Sequence, residues 1–359
     1  MKIAVLTSGG VDSSVALNLL QKEGHDLTAF YLKIWLEDEL SYLGECPWEE
    51  DLSYVRKICK QAKIPLDVIN MQKEYWDRVV AYTIQEAKAG RTPNPDILCN
   101  QQIKFGEFYK KISKSFEKVA TGHYANVQKV GRRFVLKKSP DLIKDQTYFL
   151  THLNQKQLSR ALFPVGKYTK KEVRKLAKKF KLPNQNRKDS QGICFLGKVP
   201  FREFLKHHLG EKQGDFIDEK TGKAVGRHDG YWFYTIGQRY GLKLSGGPWF
   251  VVKKDVRKNV VYLAHGYQPK EVLKKEFDVR KLHWILGMPP EIPGQARDDI
   301  IGRLTVKIRH GAATHSCRLT IKEGGHGHIT LKEPVHGVAP GQFAVFYKGD
   351  ICLGCGAIA

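Results

Sequence analysis

Lys2-Ile3-Ala4-Val5-Leu6-Thr7-Ser8-Gly9-Gly10-Val11-Asp12-Ser13-Ser14 decides the reading of the fold. Lys2–Leu6, with its continuous apolar run Ile3–Leu6, reads as a buried strand. Glycines follow, and then a helical pattern runs from about Asp12 to Glu23 and stops at Gly24. Strand, glycine turn and helix in that order make an anion site. Glycines let the backbone approach closely, and the N–H groups of the helix start point at the ligand. Ser8 and Ser13 can add hydroxyl donors, and Asp12 suits a Mg²⁺ bridging to pyrophosphate. A plain glycine turn with an Asp/Ser cap is the alternative. A Walker A loop is excluded, because no Gly-Lys-Ser/Thr occurs here.

Moving outward, the first half alternates strands and helices. Leu27–Ile34, Leu66–Asn70 and Lys118–Ala120 read as strands, and Trp48–Ala62 and Glu74–Lys88 as helices. This order predicts an α/β fold with an open parallel sheet, whose ligands sit beyond the carboxyl ends of the strands. Thr169–Lys181 is an amphipathic helix. Val173, Leu176, Ala177 and Phe180 share one face, and Lys171, Arg174, Lys175 and Lys178 the other, either as a solvated face or as a phosphate-tracking one. From about Gly210 short strands dominate, including Tyr231–Ile236, Trp249–Lys253, Val260–Ala264, Leu304–Ile308, Ser316–Ile321, Gly327–Leu331 and Ala344–Tyr347. They predict small β-barrels or sandwiches.

The 359 residues suggest two or three domains, and the 42% hydrophobic content excludes a disordered chain. No apolar run reaches eighteen residues, and Ile3–Leu6 is too short for a signal-peptide core, so a cytoplasmic protein without membrane contact is expected. Sixty Lys/Arg against 37 Asp/Glu leave a net charge of +23, which fits either a polyanionic partner or a merely lysine-rich composition. Seven cysteines, an odd number, argue against a disulfide scaffold.

Two cysteines stand out. Cys99 ends the loop Gly90-Arg91-Thr92-Pro93-Asn94-Pro95-Asp96-Ile97-Leu98, at the expected start of a helix, where a thiol's pKa falls. Asp96 either opposes that by repulsion or shuttles a proton. Cys194 follows the polar loop Lys188-Asp189-Ser190-Gln191-Gly192-Ile193. Two loop cysteines converging on one site would suit a persulfide carrier and a resolving thiol.

Ser8-Gly9-Gly10-Val11-Asp12-Ser13 resembles the PP-loop of ATP pyrophosphatases. Taken with both cysteine loops, Thr121-Gly122-His123-Tyr124, Lys144-Asp145-Gln146-Thr147-Tyr148-Phe149-Leu150, Phe163-Pro164-Val165-Gly166, Thr235-Ile236-Gly237-Gln238-Arg239 and Pro340-Gly341-Gln342, the chain closely resembles the tRNA-specific 2-thiouridylases (the MnmA/TrmU family) from Lys2 to its C-terminus. The resemblance implies a doubly wound PP-loop domain (1–200), a small central β-rich domain (201–270) and a C-terminal β-barrel contacting tRNA (271–359). It implies that Leu6, Thr7, Ser8, Gly9, Gly10, Val11, Asp12, Ser13, Leu32 and Gly122 line the ATP site, with Mg²⁺ arriving on ATP and no separate metal site. Asn94, Pro95 and Asp96 would meet the target base. His123, Lys144, Asp145, Gln146, Arg309, His310 and Gln342 would meet tRNA. Cys99 would be the nucleophile and Cys194 the persulfide carrier, paired transiently in a disulfide. A cysteine desulfurase or relay protein would supply the sulfur.

Three features depart from the family pattern. His310 stands where Tyr is common, the stretch Gly287–Asp299 is rich in Pro and Gly, and Cys355 replaces a Gly. The last creates Cys352-x-x-Cys355, which reads as incidental, as a redox pair or as half a metal site. A tRNA amidating ligase or small-molecule synthetase, and a non-catalytic RNA-binding protein, are the rival readings.

Overall fold

The computed structural model describes residues 1–34, 47–189, 200–267, 270–287 and 304–359. The first unit contains β1 (Lys2–Leu6), β2 (Asp26–Lys33), β3 (Leu66–Asn70), β4 (Lys118–Ala120), β5 (Ala125–Val130), β6 (Arg133–Lys138) and β7 (Ala161–Leu162). Five of these form a wholly parallel sheet in the order β3-β2-β1-β4-β7. Ile3, Ala4 and Val5 are completely buried at its centre, because helices cover both faces. The strand order reverses between β1 and β4. In open parallel sheets ligands bind at such a switch point, beyond the strands' carboxyl ends, where here the loops leaving β1 and β4 meet.

The segment 72–88 is helical as expected, but its middle, Trp76–Val80, is wound as a π-helix. The loop expected from Arg91 to Leu98 is shorter. Pro95 starts a helical turn over Pro95–Leu98, because its fixed φ suits the first helical position and its missing N–H costs nothing there.

The central unit is a four-stranded sheet of β8 (Gly214–Asp218), β9 (Ala224–His228), β10 (Trp249–Asp255) and β11 (Val260–His265), in the order β10-β11-β8-β9. The strand expected over Tyr231–Ile236 is a 3₁₀ turn at Tyr231–Phe233. Tyr231 and Tyr234, three apart, enter the same core, a spacing that a strand's period of two cannot satisfy.

The last unit contains β12 (Leu273–Trp284), β13 (Leu304–Lys307), β14 (His315–Lys322), β15 (His326–His336), β16 (Phe343–Lys348) and β17 (Ile351–Ile358). They pair in the order β12-β15-β14-β13-β16-β17, and β17 closes on β12 as a six-stranded barrel. The β5–β6 hairpin of the first unit adds to this barrel, Leu136 of β6 pairing with Cys352 of β17. One core therefore runs from Ala4 and Leu6 through Phe105 and Tyr148 to Phe343 and Tyr347. No helix among the described residues is long and apolar enough to cross a membrane.

Candidate active site

The glycine loop after β1 is held by its own hydroxyls. The Gly10 carbonyl accepts from Ser13 Oγ at 3.1 Å and Ser14 Oγ at 2.8 Å, and the Ser8 N–H donates to Ser13 Oγ at 3.3 Å. Gly9 sits at φ +74°, and a Cβ there would lie 2.6 Å from the Asp51 carbonyl, so only glycine fits. Among the described residues no side chain caps the helix Val11–Lys22, which leaves its first N–H groups to a ligand. Leu32, half-buried on β2, pairs with Ile69 at the neighbouring strand end.

Gly122 leaves β4 and packs directly on this loop. A Cβ at Gly122 would stand 2.6 Å from Ser13 N and 2.8 Å from the Asp12 carbonyl carbon. Next to it, His123 Nδ1 meets Thr121 Oγ1 at 2.6 Å, and the ring lies against Phe105 and Phe163. Burial of that ring, then the nearby Lys104, holds its pKa well below the ordinary histidine value.

Asp12 is not isolated. It accepts from Lys170 Nζ at 2.7 and 2.9 Å and from Tyr124 Oη at 2.8 Å. Lys170 also contacts Asp189 at 2.8 Å, and Asp189 takes Lys144 at 2.7 Å and Arg174 at 2.5 Å. Burial pushes the Asp189 carboxyl up, but the bonds from Lys144 and Lys170 outweigh it and hold the group well below the carboxylate range. Asn184, wholly buried, donates to the Gly9 carbonyl at 2.8 Å and to Ser14 Oγ at 2.9 Å. Sequence reading gave no role to Tyr124, Lys170 or Asn184. Lys170 opens an amphipathic helix as one more lysine among several, and Asn184 carries no local motif.

The structure corrects the expectation that Cys99 ends a loop at the start of a helix. It lies one turn inside the helix and is 2% exposed. Ile97, Leu98 and Ile103 draw this helix into core and take Cys99 with them. Asn94 is also buried and Asp96 half-buried. The loop ahead of them is clamped by the barrel. Gln342 Nε2 donates to the Thr92 and Pro93 carbonyls at 3.2 and 2.9 Å, its Oε1 meets Asn94 Nδ2 at 3.3 Å, and the Thr92 N–H reaches the Pro340 carbonyl at 2.7 Å. Asn100, beside Cys99, donates to the Phe149 carbonyl at 3.1 Å, and the Phe149 ring stacks on His310 at 4.6 Å.

His310 therefore supplies a flat stacking face on Phe149, and its Nε2 lies 3.2 Å from the Asp145 carbonyl oxygen. Arg309, His310, His315 and His336 line a cavity of 560 Å³ on the barrel. The Asp145 side chain is fully buried and pairs with Lys307 Nζ at 2.8 Å, while Gln146 Oε1 accepts from the Tyr124 N–H at 2.9 Å. Lys144 turns to Asp189, so the three neighbours serve three different contacts.

Cys194 lies outside the described residues. None of the described cysteines, Cys59, Cys99, Cys317, Cys352 and Cys355, is in a disulfide. Cys352 and Cys355 are completely buried, and that burial pushes Cys352 up to about 12 and Cys355 higher. No cluster of three metal-ligating side chains exists among the described residues, so the Cys352-x-x-Cys355 pair has no metal partners there.

A parallel sheet with a PP-loop at its switch point, joined to a barrel that clamps the loop ahead of a cysteine-bearing helix, defines a nucleotide-dependent enzyme of the PP-loop class. The chain belongs to the tRNA-specific 2-thiouridylase family. Residues 1–198, 202–265 and 274–358 match the families described as tRNA methyl transferase HUP domain, tRNA methyl transferase PRC-barrel domain and aminomethyltransferase beta-barrel domain. The chain is 45% identical to tRNA-specific 2-thiouridylase MnmA 1 of Bacteroides thetaiotaomicron over all of this chain and 99% of that one. It is 43% identical to tRNA-specific 2-thiouridylase MnmA of Parabacteroides distasonis, again over all of this chain and 99% of the relative. The solved U34-tRNA thiolase NcsA of Methanococcus maripaludis shares 18% identity over 57% of this chain and 64% of its own, with a TM-score of 0.35.

Proposed function

We propose that this protein uses ATP to replace the 2-carbonyl oxygen of the wobble uridine of tRNA (Lys, Glu and Gln) with sulfur. The observation that carries the reading is the convergence of three elements. Gly122 touches the PP-loop, its neighbour His123 touches Phe105 on the Cys99 helix, and Gln342 of the barrel clamps the loop just before Cys99. In this reading a nucleotide site, a thiol and an RNA-facing surface would meet at one seam. The relatives quoted above carry the name tRNA-specific 2-thiouridylase, which supports thiolation of a tRNA uridine.

In this reading the uridine oxygen attacks the α-phosphate of ATP, pyrophosphate departs, and the base carries AMP as a leaving group. The uncapped N–H groups at the start of Val11–Lys22 and the Lys170 ammonium face the negative charge that develops. Mg²⁺ suits this place, since it binds through one or two carboxylates plus substrate phosphates, and Asp12 is the carboxylate beside the loop. It would neutralise phosphate charge there. The terminal sulfur of a Cys194 persulfide then attacks C2 and AMP leaves. The Cys99 thiolate attacks the Cys194 sulfur, which frees the thiocarbonyl and forms a Cys99–Cys194 disulfide. An external reductant restores both thiols. A variant route has Cys99 release hydrosulfide, which attacks instead. A cysteine desulfurase or relay protein loads Cys194.

The three units would divide the work at about 1–200, 201–270 and 271–359. Asn94, Pro95 and Asp96 would receive the flipped base. His123, Lys144, Gln146, Arg309, His310 and Gln342 would meet tRNA, and Asp145 would serve through its backbone carbonyl, which orients His310.

Unmodified tRNA is incubated with the protein, ATP, Mg²⁺, cysteine and a desulfurase, then run on a mercury-containing gel. A retarded band that needs ATP and disappears in Cys99→Ser and in Cys194→Ser is expected. A band that persists in either variant refutes the role given to that cysteine. Pyrophosphate release without a band, even with a chemical persulfide donor, refutes thiolation.

A further inference from the structure

The central sheet carries an aromatic hollow that the site above does not use. Arg239, Tyr240, Leu242, Lys243, Trp249 and Tyr267 line a cavity of 460 Å³. Tyr240 and Tyr267 are 81% and 84% exposed, more than any other large hydrophobic side chain among the described residues. Leaving two tyrosine rings in water has a cost that a partner would remove. The Arg239 guanidinium lies 5.6 Å over the Tyr240 ring, so a cation and a flat ring are already paired.

The floor of the hollow is braced. Trp249 Nε1 donates to the Ser245 carbonyl at 3.1 Å, and its ring packs on His265 at 4.5 Å. His265 Nε2 meets the Gly246 carbonyl at 2.9 Å. Gln238 ties the loop at both ends, accepting from the Thr235 N–H at 2.9 Å and donating to the Tyr240 carbonyl at 2.9 Å. Exposed rings on a braced loop, interleaved with Arg and Lys, are the chemistry that stacks unpaired nucleobases and neutralises their phosphates.

Its position agrees. Thr235 Oγ1 touches Thr92 Oγ1 at 3.4 Å, on the loop that leads to Asn94, and Gly237 packs against Gly337 of the barrel. Arg239 is four positions beyond Thr235, a span of at most about 14 Å. The hollow is therefore within a few nucleotides of the loop read above as receiving the target base.

We propose that this hollow binds an unpaired nucleobase of the RNA substrate. The base stacks on Tyr240 or Tyr267, and Arg239 and Lys243 contact its flanking phosphates. The inference rests on the thiolase reading and adds a second RNA subsite to it. The excess of +23 matches a polyanion and disfavours a basic or apolar protein occupant.

The test titrates the full chain with a fluorescent, unmodified anticodon stem-loop RNA and with a blunt RNA duplex of equal length. The variant Tyr240→Ala/Tyr267→Ala should bind the stem-loop about ten- to a hundredfold more weakly, the loss expected for one or two stacking contacts. Tyr240→Phe/Tyr267→Phe should bind like wild type, because the ring is kept. Duplex affinity and the salt dependence should not change in the Ala variant, whereas Arg239→Gln should lower the salt slope by about one phosphate. An Ala variant that binds the stem-loop as tightly as wild type overturns the subsite, and so does equal weakening toward both RNAs. An Ala variant that loses only desulfurase binding overturns it in favour of a protein partner. If wild type thiolates tRNA while the Ala variant matches it in binding, the subsite alone fails. If wild type does not thiolate, the underlying reading fails.

Discussion

Two ion-pair systems flank the proposed site, with almost the same bond lengths and opposite surroundings. Lys307 and Asp145 meet at 2.8 Å with side chains 2% and 0% exposed. Lys170 meets Asp12 at 2.7 Å and Asp189 at 2.8 Å with all three side chains 15–31% exposed. The first joins the PP-loop unit to the barrel. Asp145 also accepts from Thr147 Oγ1 at 2.8 Å and the Ser139 N–H at 3.2 Å, so its lone pairs are filled and it cannot exchange partners. The second borders water and shares one ammonium between two carboxylates, so it can release Asp12 to an incoming ligand at small cost. Burial, rather than distance, separates a fixed joint from an exchangeable contact.

Breaking the buried pair should have the largest effect. Asp145→Asn leaves the Lys307 ammonium uncompensated and should lower stability by about 3–5 kcal/mol in urea unfolding. Adding Lys307→Met should recover most of that loss. A single variant that costs under about 1 kcal/mol would erase the contrast between the two systems.

Next comes the contact between switch-point loops. Gly122→Ala drives a methyl group into the Ser13 and Asp12 backbone, which cannot yield like a flexible side chain. Overpacking of about 1–3 kcal/mol is expected, with loss of ATP affinity by calorimetric titration. Unchanged nucleotide binding would mean that the loop after β4 does not shape the nucleotide site.

Lys170→Ala should reduce stability by no more than about 1 kcal/mol, since the network is partly solvated. Its RNA-dependent pyrophosphate release should nevertheless fall about tenfold or more, as one charge-stabilising donor is lost. Lys170→Arg should retain part of the rate. Full activity in the Ala variant would reduce the exposed network to a surface ornament of the fold.

The smallest effect is on pH dependence. Burial, with His283 nearby, pushes His152 down to about 3, and burial also lowers His123. Both folded-state values lie below the unfolded value of about 6.5, so the unfolded chain binds these protons first. Their contribution is intact above about pH 6.5 and fades as pH falls toward 3. Asp189 is depressed, so its contribution persists above about pH 3.9 and fades only below it. Between pH 6.5 and 4.5 the urea midpoint should therefore decline through the histidines while the Asp189 network holds. His152→Gln should flatten that decline, because His152 packs on Phe343 of the barrel. An unchanged slope would assign the acid sensitivity elsewhere.

The parallel sheet was legible from β1 to β4, because β1 is a continuous apolar run, its first turn is spelled by glycines and strands alternate with helices after it; the two-residue β7 was not. The barrel was less so. β12 reads Leu-Lys-Lys-Glu-Phe-Asp-Val-Arg-Lys-Leu-His-Trp and is mostly exposed on one face, so its alternation is diluted by charge. β17 contains two glycines and two cysteines in eight residues, a poor strand by propensity that three neighbouring strands hold in place. The β5–β6 hairpin escaped notice, and its pairing with β17 joins residues more than two hundred positions apart.

By itself the sequence determined the phosphate loop, the α/β order and the two candidate cysteines, since these depend on neighbours within a few residues, where local sterics and periodicity act. The tertiary structure decided that Lys170 and Asn184 reach the phosphate loop, that Asp145 is a buried joint, that His310 stacks on Phe149, and that Cys99 is enclosed. Each of those depends on which distant side chain removes water from a given atom. Solvent exclusion is a property of the packed molecule, and no local pattern encodes it.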